Sequence, residues 1–140
     1  DAMPHGTLQR LELMLGGLQG KRIALFGVSY RQDVGDTRYS PSETFFHAAV
    51  EKGAVVKAHD PLVIKWEELG LELNPVPPVA SSIDAAVFAV PHREYREMDV
   101  IAWTDGSKPT VLDANNVLSS KQCQELRSVG CEVASIGIGD

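Results

Sequence analysis

Between residues 26 and 43 the chain reads FGVSYRQDVGDTRYSPSE, which crowds Tyr30, Arg31, Asp33, Asp36 and Arg38 into one short span. Guanidinium groups are planar, permanently charged donors that match the paired oxygens of a phosphate. A tyrosine beside them adds an aromatic face and a hydroxyl. Asp33 and Asp36 have two roles open to them: holding the guanidiniums in place, or making turns, for which an aspartate next to Gly35 is well suited. Residue chemistry alone leaves two readings standing, a site for phosphate or a nucleotide and a solvated loop held by local ion pairs.

Side chains of this kind work only where rigid elements hold them. KRIALFG (21–27), AVVKAHD (54–60), AAVFAV (85–90), PTVLDA (109–114) and CEVASIGI (131–138) are short apolar runs rich in Val and Ile, the pattern of strands covered on both faces. Amphipathic stretches separate them. SPSETFFHAAVEKG (40–53) reads as a helix with Ser40 at the N-cap, Pro41 at the first helical position, Glu43 at the reciprocal capping-box site and Gly53 as the stop. SSKQCQELRSVG (119–130) repeats that logic, with Ser119 or Ser120 as cap and Gly130 as stop. HREYREMDVIAW (92–103) reads as a further helix. The stretch 64–82, with Pro75, Pro77 and Pro78, is expected to hold a short helix and a surface connector. Upstream, Leu8, Leu11, Leu15 and Leu18 form a stripe at helical spacing.

Strand alternating with helix implies parallel strands joined by right-handed crossovers. The expected fold is therefore α/β: a Rossmann-like open parallel sheet of five strands with helices on both faces, a three-layer α/β/α arrangement. In such a sheet ligands sit beyond the carboxyl ends of the strands, and the loop after the first strand occupies such a place. It is not a dinucleotide turn. That turn needs three closely spaced glycines, and here Gly27 is followed by Val28, Ser29 and Tyr30.

Asp60, before Pro61, then reads as a strand-ending turn rather than a ribose ligand. His92 and Arg93 either line the crevice or form a surface helix entry, and His59 reads as a strand residue near the surface. Asp113 is expected to fix the turn after the fourth strand, and Trp66 and Trp103 to pack.

A chain of 140 residues with 44% hydrophobic content has the size of one domain with a real core. No apolar run approaches the length needed to cross a bilayer, so no membrane is expected. The start lacks a signal-peptide pattern, which makes the cytoplasm the default compartment. A net charge of −6 gives no footprint for nucleic acid. Cys123 and Cys131 have no histidine at metal-ligand spacing, so they are read as reduced structural thiols and no metal site is expected.

GKRIALFGVSYRQDVGDTRYSP (20–41), AVEKGAVVKAHDP (49–61), AAVFAVPHREY (85–95) and TVLDANNVL (110–118) together resemble the C-terminal, UDP-binding domain of the UDP-glucose/GDP-mannose dehydrogenase family. The resemblance runs from about Met3 to Gly139. Its most specific element is GDTRYSP at its distance from HDP. It implies that residues 1–20 are the end of an interdomain helix and residues 21–140 a nucleotide-sugar binding domain. It also implies a UDP-sugar or GDP-sugar substrate (UDP-glucose, UDP-N-acetyl-hexosamine or GDP-mannose type) oxidised at C6 from alcohol to carboxylate in two NAD-dependent steps, in polysaccharide biosynthesis. The full-length enzyme is implied to form a homodimer or larger assembly.

On the resemblance, Tyr30 and Arg31 match the aromatic-lysine pair that touches the substrate's diphosphate. Arg38 matches an arginine that reaches the NAD, which is held mainly by domains outside this chain. Asn115 stands where the family pattern D-x-R has a substrate-binding arginine, so one positive charge is replaced by an amide. No catalytic residue is carried over, because the family's nucleophilic cysteine and its NAD fingerprint lie in its other domains. Two other readings remain at this point: a stand-alone, non-enzymatic nucleotide-sugar binding or regulatory module, and a phosphoacceptor receiver domain. The receiver needs an aspartate after the third strand, where this chain reads VPHRE.

Overall fold

The computed structural model of the chain describes residues 3–136. In chain order these residues form α1 (Met3–Leu15), β1 (Arg22–Phe26), α2 (Pro41–Glu51), β2 (Val55–His59), β3 (Lys65–Trp66), β4 (Leu71–Glu72), β5 (Ala85–Phe88), α3 (Arg93–Arg96), α4 (Val100–Thr104), β6 (Thr110–Asp113), α5 (Ser120–Ser128) and β7 (Val133–Ser135). The five main strands make one parallel sheet in the order β2-β1-β5-β6-β7. Its register aligns the strand ends: Phe26 pairs with His59 on one side and Phe88 on the other, and Phe88 pairs with Asp113. The expected α/β sheet of five parallel strands is the observed one.

Alternation along each strand divides the core into two layers, because successive side chains point to opposite faces. Ile23, Leu25, Val87 and Leu112 pack with Leu8 and Leu11 of α1 and with Phe45 and Ala49 of α2. Ala24, Phe26, Phe88 and Val111 face the other way, against Tyr95, Val100, Cys123 and Leu126 from α3, α4 and α5. Helices therefore cover both faces. Burying each large apolar side chain in these layers contributes roughly 1.5–3 kcal/mol, which is why strands apolar on both faces are stable only here.

Local rules explain the ends of the helices and two departures from the sequence reading. Ser40 caps α2 as expected, but its hydroxyl accepts from the Ser42 amide, so no reciprocal capping box forms with Glu43. Glu43 turns instead toward His47, 3.8 Å away. The full box forms on α5, where the Ser119 hydroxyl accepts from the Gln122 amide and the Gln122 side chain accepts from the Ser119 amide. The expected helix over 92–103 is two short ones. Asp99 accepts from the Ala102 amide and starts α4 afresh, because a capping aspartate competes with helix continuation.

The stretch 64–82 also differs from expectation. Its centre is an antiparallel hairpin, β3 with β4, turned by a short 3-10 segment at 67–69, and a second such turn covers 80–82. Gly70 in the left-handed region lets the chain reverse there, and the buried Trp66 ring packs against Phe46 of α2. The last strand is shorter than read, Val133–Ser135, so Cys131 precedes it; residues 137 and 138 of that reading lie outside the described residues. Among the described residues no helix is long and apolar enough to cross a membrane.

Candidate functional site

The strand order creates the place for a site. From β1 the chain leaves to one side for β2, then returns past β1 to β5 on the other side. The connections after β1 and β5 therefore diverge at the carboxyl edge and leave a crevice between them. Residues 27–40 form one wall and residues 89–93 the other. Gly27 sets their approach: it has φ 106°, and a Cβ there would lie 2.6 Å from the Val90 Cβ and 2.9 Å from the Val90 nitrogen. Only glycine fits both the backbone angle and the space.

The loop after Gly27 is tied down by buried groups from elsewhere in the chain. Asp60, at the end of β2 and 3% exposed, accepts from the Val28 amide (2.9 Å), the Ser29 amide (3.0 Å), the Ser29 hydroxyl (2.8 Å) and His92 Nε2 (2.9 Å), all on Oδ2, while Oδ1 accepts from the Leu62 amide (2.9 Å). Burial alone would push this carboxyl up. The hydrogen bonds from His92 and from the Leu62 and Val28 amides outweigh it and hold the group below the usual carboxylate range. Asp60 thus makes the expected strand-ending turn to Leu62, and no side of it is left for a ribose. His92 Nδ1 accepts from the Asp33 amide at 2.9 Å, and Asp33 Oδ1 accepts from the Arg93 amide at 3.1 Å. The loop closes on itself through the Tyr30 amide, which donates to the Asp36 carbonyl at 2.6 Å. Thr37 reaches out to Glu68 beyond β3.

Of the two histidines, His92 lines the crevice, one of the two readings open to it, while His59 departs from its reading. His92 is 1% exposed and is a buried link between walls, whereas Arg93 beside it does stand at an exposed helix entry. His59, read as near the surface, is 2% exposed. Its Nδ1 donates to the Tyr95 hydroxyl, which itself donates to the His59 carbonyl. Burial pushes the His59 imidazole down, and it pushes the Tyr95 phenol far up, so this pair stays neutral. A sequence signal existed for both anchors, a histidine and an aspartate at strand ends beside the crevice. Nothing in the residue types announced that they would meet each other.

What remains exposed is the loop's crest. Tyr30 is 58% exposed, and Arg31 is exposed with no hydrogen bond or ion pair among the described residues. Arg38 is exposed too, but its guanidinium is spread over Asp36, whose carboxyl it holds down at about 2, with Nη2 at 2.8 Å. The local ion pair of the sequence reading thus exists at Arg38 and not at Arg31. Asn115 lies in the turn after β6, across β5 from the loop; its side-chain nitrogen donates to the Ala89 carbonyl at 3.1 Å. Asp113 organises that turn as expected, accepting from the amides of Asn115, Val117 and Leu118.

Tyr30, Arg31 and Arg38 therefore share one loop, and Asn115 sits on the neighbouring turn of the same sheet edge. Shallow clefts of ≈ 340 and ≈ 360 Å³ flank Asp33 and Arg93, one against Leu62 and the other against Arg96. The arrangement offers the guanidiniums of Arg31 and Arg93, neither with a side-chain partner among the described residues, and one aromatic ring over a rigid floor, which suits binding an anion rather than breaking a bond. Cys123 and Cys131 are buried free thiols, and burial pushes both up, away from the nucleophilic thiolate. Among the described residues no cluster of three metal-ligating side chains occurs. Trp66 and Trp103 pack, the latter donating its indole N–H to the Pro78 carbonyl.

Comparison with known proteins adds an independent line. The family model described as UDP-glucose/GDP-mannose dehydrogenase family, UDP binding domain, matches residues 24–120. A UDP-glucose 6-dehydrogenase of Rickettsia felis is 27% identical over 96% of this chain and 31% of its own length. A UDP-N-acetyl-D-mannosamine dehydrogenase of Methanocaldococcus jannaschii is 29% identical over 85% of this chain and 28% of its own length. Among solved structures, an NDP-N-acetyl-D-galactosaminuronic acid dehydrogenase from Methanosarcina mazei superposes with a TM-score of 0.77 at 25% identity, over 96% of this chain and 28% of that one. The chain spans about three tenths of the length of the curated relatives it matches.

Proposed function

The chain belongs to the UDP-glucose/GDP-mannose dehydrogenase family, and from that premise we propose that it is the C-terminal substrate-binding domain of an NAD-dependent nucleotide-sugar 6-dehydrogenase. Its task is to hold the diphosphate of a UDP-sugar or GDP-sugar while other domains carry out the oxidation. Arg31 meets the phosphate oxygens, Tyr30 lies against the ligand beside it, and Asn115 faces the substrate from the next turn. On the same reading residues 1–20 are the end of the interdomain helix and residues 21–140 the binding domain, in an assembly that is a homodimer or larger.

The observation that carries the proposal is Arg31, an exposed guanidinium without a partner among the described residues, on a loop otherwise laced by buried hydrogen bonds at the sheet's crevice. A permanent charge held ready on a rigid base suits a dianionic group, since less freedom is lost when the ligand arrives. Asn115 supports a narrower role. An amide already donating to the Ala89 carbonyl has one N–H left for a sugar or phosphate oxygen, so it contributes a neutral contact where the family pattern supplies a charge.

NAD supplies the acceptor for the hydride in such an enzyme. The fit of this chain to that cofactor is partial: Asp60 is consumed inside the loop, and Arg38 offers only the guanidinium edge that Asp36 leaves open. On the same reading, Arg38 is this chain's contact to a cofactor held mainly elsewhere.

Titration of the 15N-labelled chain with UDP, UDP-glucose and GDP-mannose tests the proposal. The expected result is shifts concentrated in residues 29–39 and 113–117. A charge-assisted hydrogen bond contributes on the order of 1.5–3 kcal/mol, so Arg31→Ala should weaken UDP binding by roughly one to two powers of ten while leaving the melting temperature unchanged. Equal saturation of the wild-type chain and the variant would overturn the assignment.

A further inference from the structure

We propose that His92 is a positioning residue for phosphate recognition, fixing the crest that carries Tyr30 and Arg31 through a single acceptor atom, Nδ1, aimed at the Asp33 amide. The inference rests on the reading that Arg31 meets the phosphate.

The protonation pattern follows from the partners. A backbone N–H only donates, so the Asp33 amide at 2.9 Å requires Nδ1 to be bare. The ring proton then sits on Nε2, and the Asp60 carboxylate 2.9 Å away can only accept it. Both faces of the ring are thereby determined, in a group 1% exposed. The same Asp60 oxygen accepts from the Val28 and Ser29 amides at the root of the loop. One imidazole and one carboxylate thus anchor the loop at residues 28–29 and again at residue 33, and Tyr30 and Arg31 lie between those two ties.

Asp33 is gripped twice, by His92 Nδ1 at its amide and by the Arg93 amide at its carboxylate. It needs the grip, since its φ of 60° is one that a side chain other than glycine's seldom adopts. An apolar residue of the same volume at position 92 would fill the space yet leave the Asp33 amide and one Asp60 lone pair without partners. The crest would then be free to relax out of the left-handed turn and carry Arg31 with it.

The two amide substitutions separate this role from simple filling. The side-chain oxygen of His92→Asn stands near the place of Nδ1 and keeps the acceptor for Asp33. The side chain of His92→Gln reaches the place of Nε2, keeps a donor to Asp60, and supplies no acceptor at the crest. In the 140-residue chain, His92→Asn should bind UDP within about threefold of wild type, and His92→Gln should lose about tenfold, the loss of one hydrogen bond's positioning effect. Hydrogen exchange of the Asp33 amide should stay slow in His92→Asn and become fast in His92→Gln. The wild-type imidazole should show a protonated Nε2 and a bare Nδ1 in its 15N spectrum, a measurement that needs no variant to fold.

A protonated Nδ1 in the wild-type chain overturns the inference, and so do equal losses of affinity or equal Asp33 exchange in the two variants. If UDP binds and Arg31→Ala weakens it while His92→Gln binds as wild type, the positioning role alone fails. If UDP binding does not depend on Arg31, the reading of the site fails and the claim that His92 serves it is overturned as well, whatever the exchange data show about the loop.

Discussion

At Asp60 one buried carboxylate accepts five hydrogen bonds, and that arrangement makes the chain's stability depend on pH in a defined direction. A carboxyl held below its ordinary value contributes stability that is present above the unfolded pKa, about 3.9, and is lost as the pH falls through the lower folded value. His59 acts in the same direction at higher pH. Burial pushes its folded pKa down, so below the unfolded value of about 6.5 the unfolded chain takes up a proton that the folded chain refuses. Urea midpoints should therefore fall in two stages, first between pH 7 and pH 5 and again below pH 4. His59→Gln should flatten the first stage and leave the second. By contrast Asp36, whose pKa is also lowered, is half-exposed and paired with the exposed Arg38, where water screens the pair, and Asp36→Ala should move the midpoint little.

At the scale of elements, the crevice depends on how closely the exits of β1 and β5 approach and on how α3 is anchored to α5. Gly27→Ala places a methyl group against the Val90 backbone at a φ of 106°, and should cost at least about 2 kcal/mol, read as a lower urea midpoint with the slope unchanged. The strand ends would be pushed apart, so the crest should lose UDP affinity in whatever fraction still folds. Gln122 is the anchor on the other face. Its side-chain nitrogen donates to the Tyr95 and Met98 carbonyls, while its oxygen closes the cap at Ser119. Gln122→Ala leaves the Ser119 amide and the Met98 carbonyl without partners, and the Tyr95 carbonyl with the Met98 amide alone, and should destabilise by about 2–3 kcal/mol, more than Ser119→Ala at about 1 kcal/mol. Equal losses would mean that Gln122 serves only the cap.

For the whole molecule, the proposed function divides binding from oxidation. The 140-residue chain presents an open edge with shallow clefts on either side of Asp33, so a flexible nucleotide sugar is ordered there with little enclosure. Affinity for UDP-sugars should therefore lie near the millimolar range, about 4 kcal/mol of binding free energy. The chain alone should not reduce NAD with UDP-glucose, UDP-N-acetyl sugars or GDP-mannose, because both cysteines are buried thiols and the first loop is not a dinucleotide turn. Absorbance at the NADH band above the no-protein control would show that one of these thiols reacts.

Much of this molecule is legible in its sequence, and the reason is periodicity. Val- and Ile-rich runs of five or so residues between capped helices admit few folds other than a doubly covered parallel sheet, and Ser40 with Gly53, or Ser119 with Gly130, mark helix ends by local chemistry that needs no partner from afar. Tyr30, Arg31 and Arg38 were visible for a similar reason, since they share one loop. The hairpin within 64–82 was hidden because its prolines point away from a helix without saying which turn replaces it. His59, Asp60 and His92 were hidden more deeply. Alone, His59 and Asp60 are ordinary residues at the end of β2 and His92 an ordinary residue at the start of α3, and only the β2-β1-β5 order brings the connections after β2 and β5 together across the end of β1, with His92 Nε2 2.9 Å from Asp60. A hydrogen bond between residues 32 positions apart leaves no trace in local spacing. Burial then decides its meaning, because a histidine and a carboxylate that water would keep apart are held together, with the loop amides around them, once the sheet closes over them.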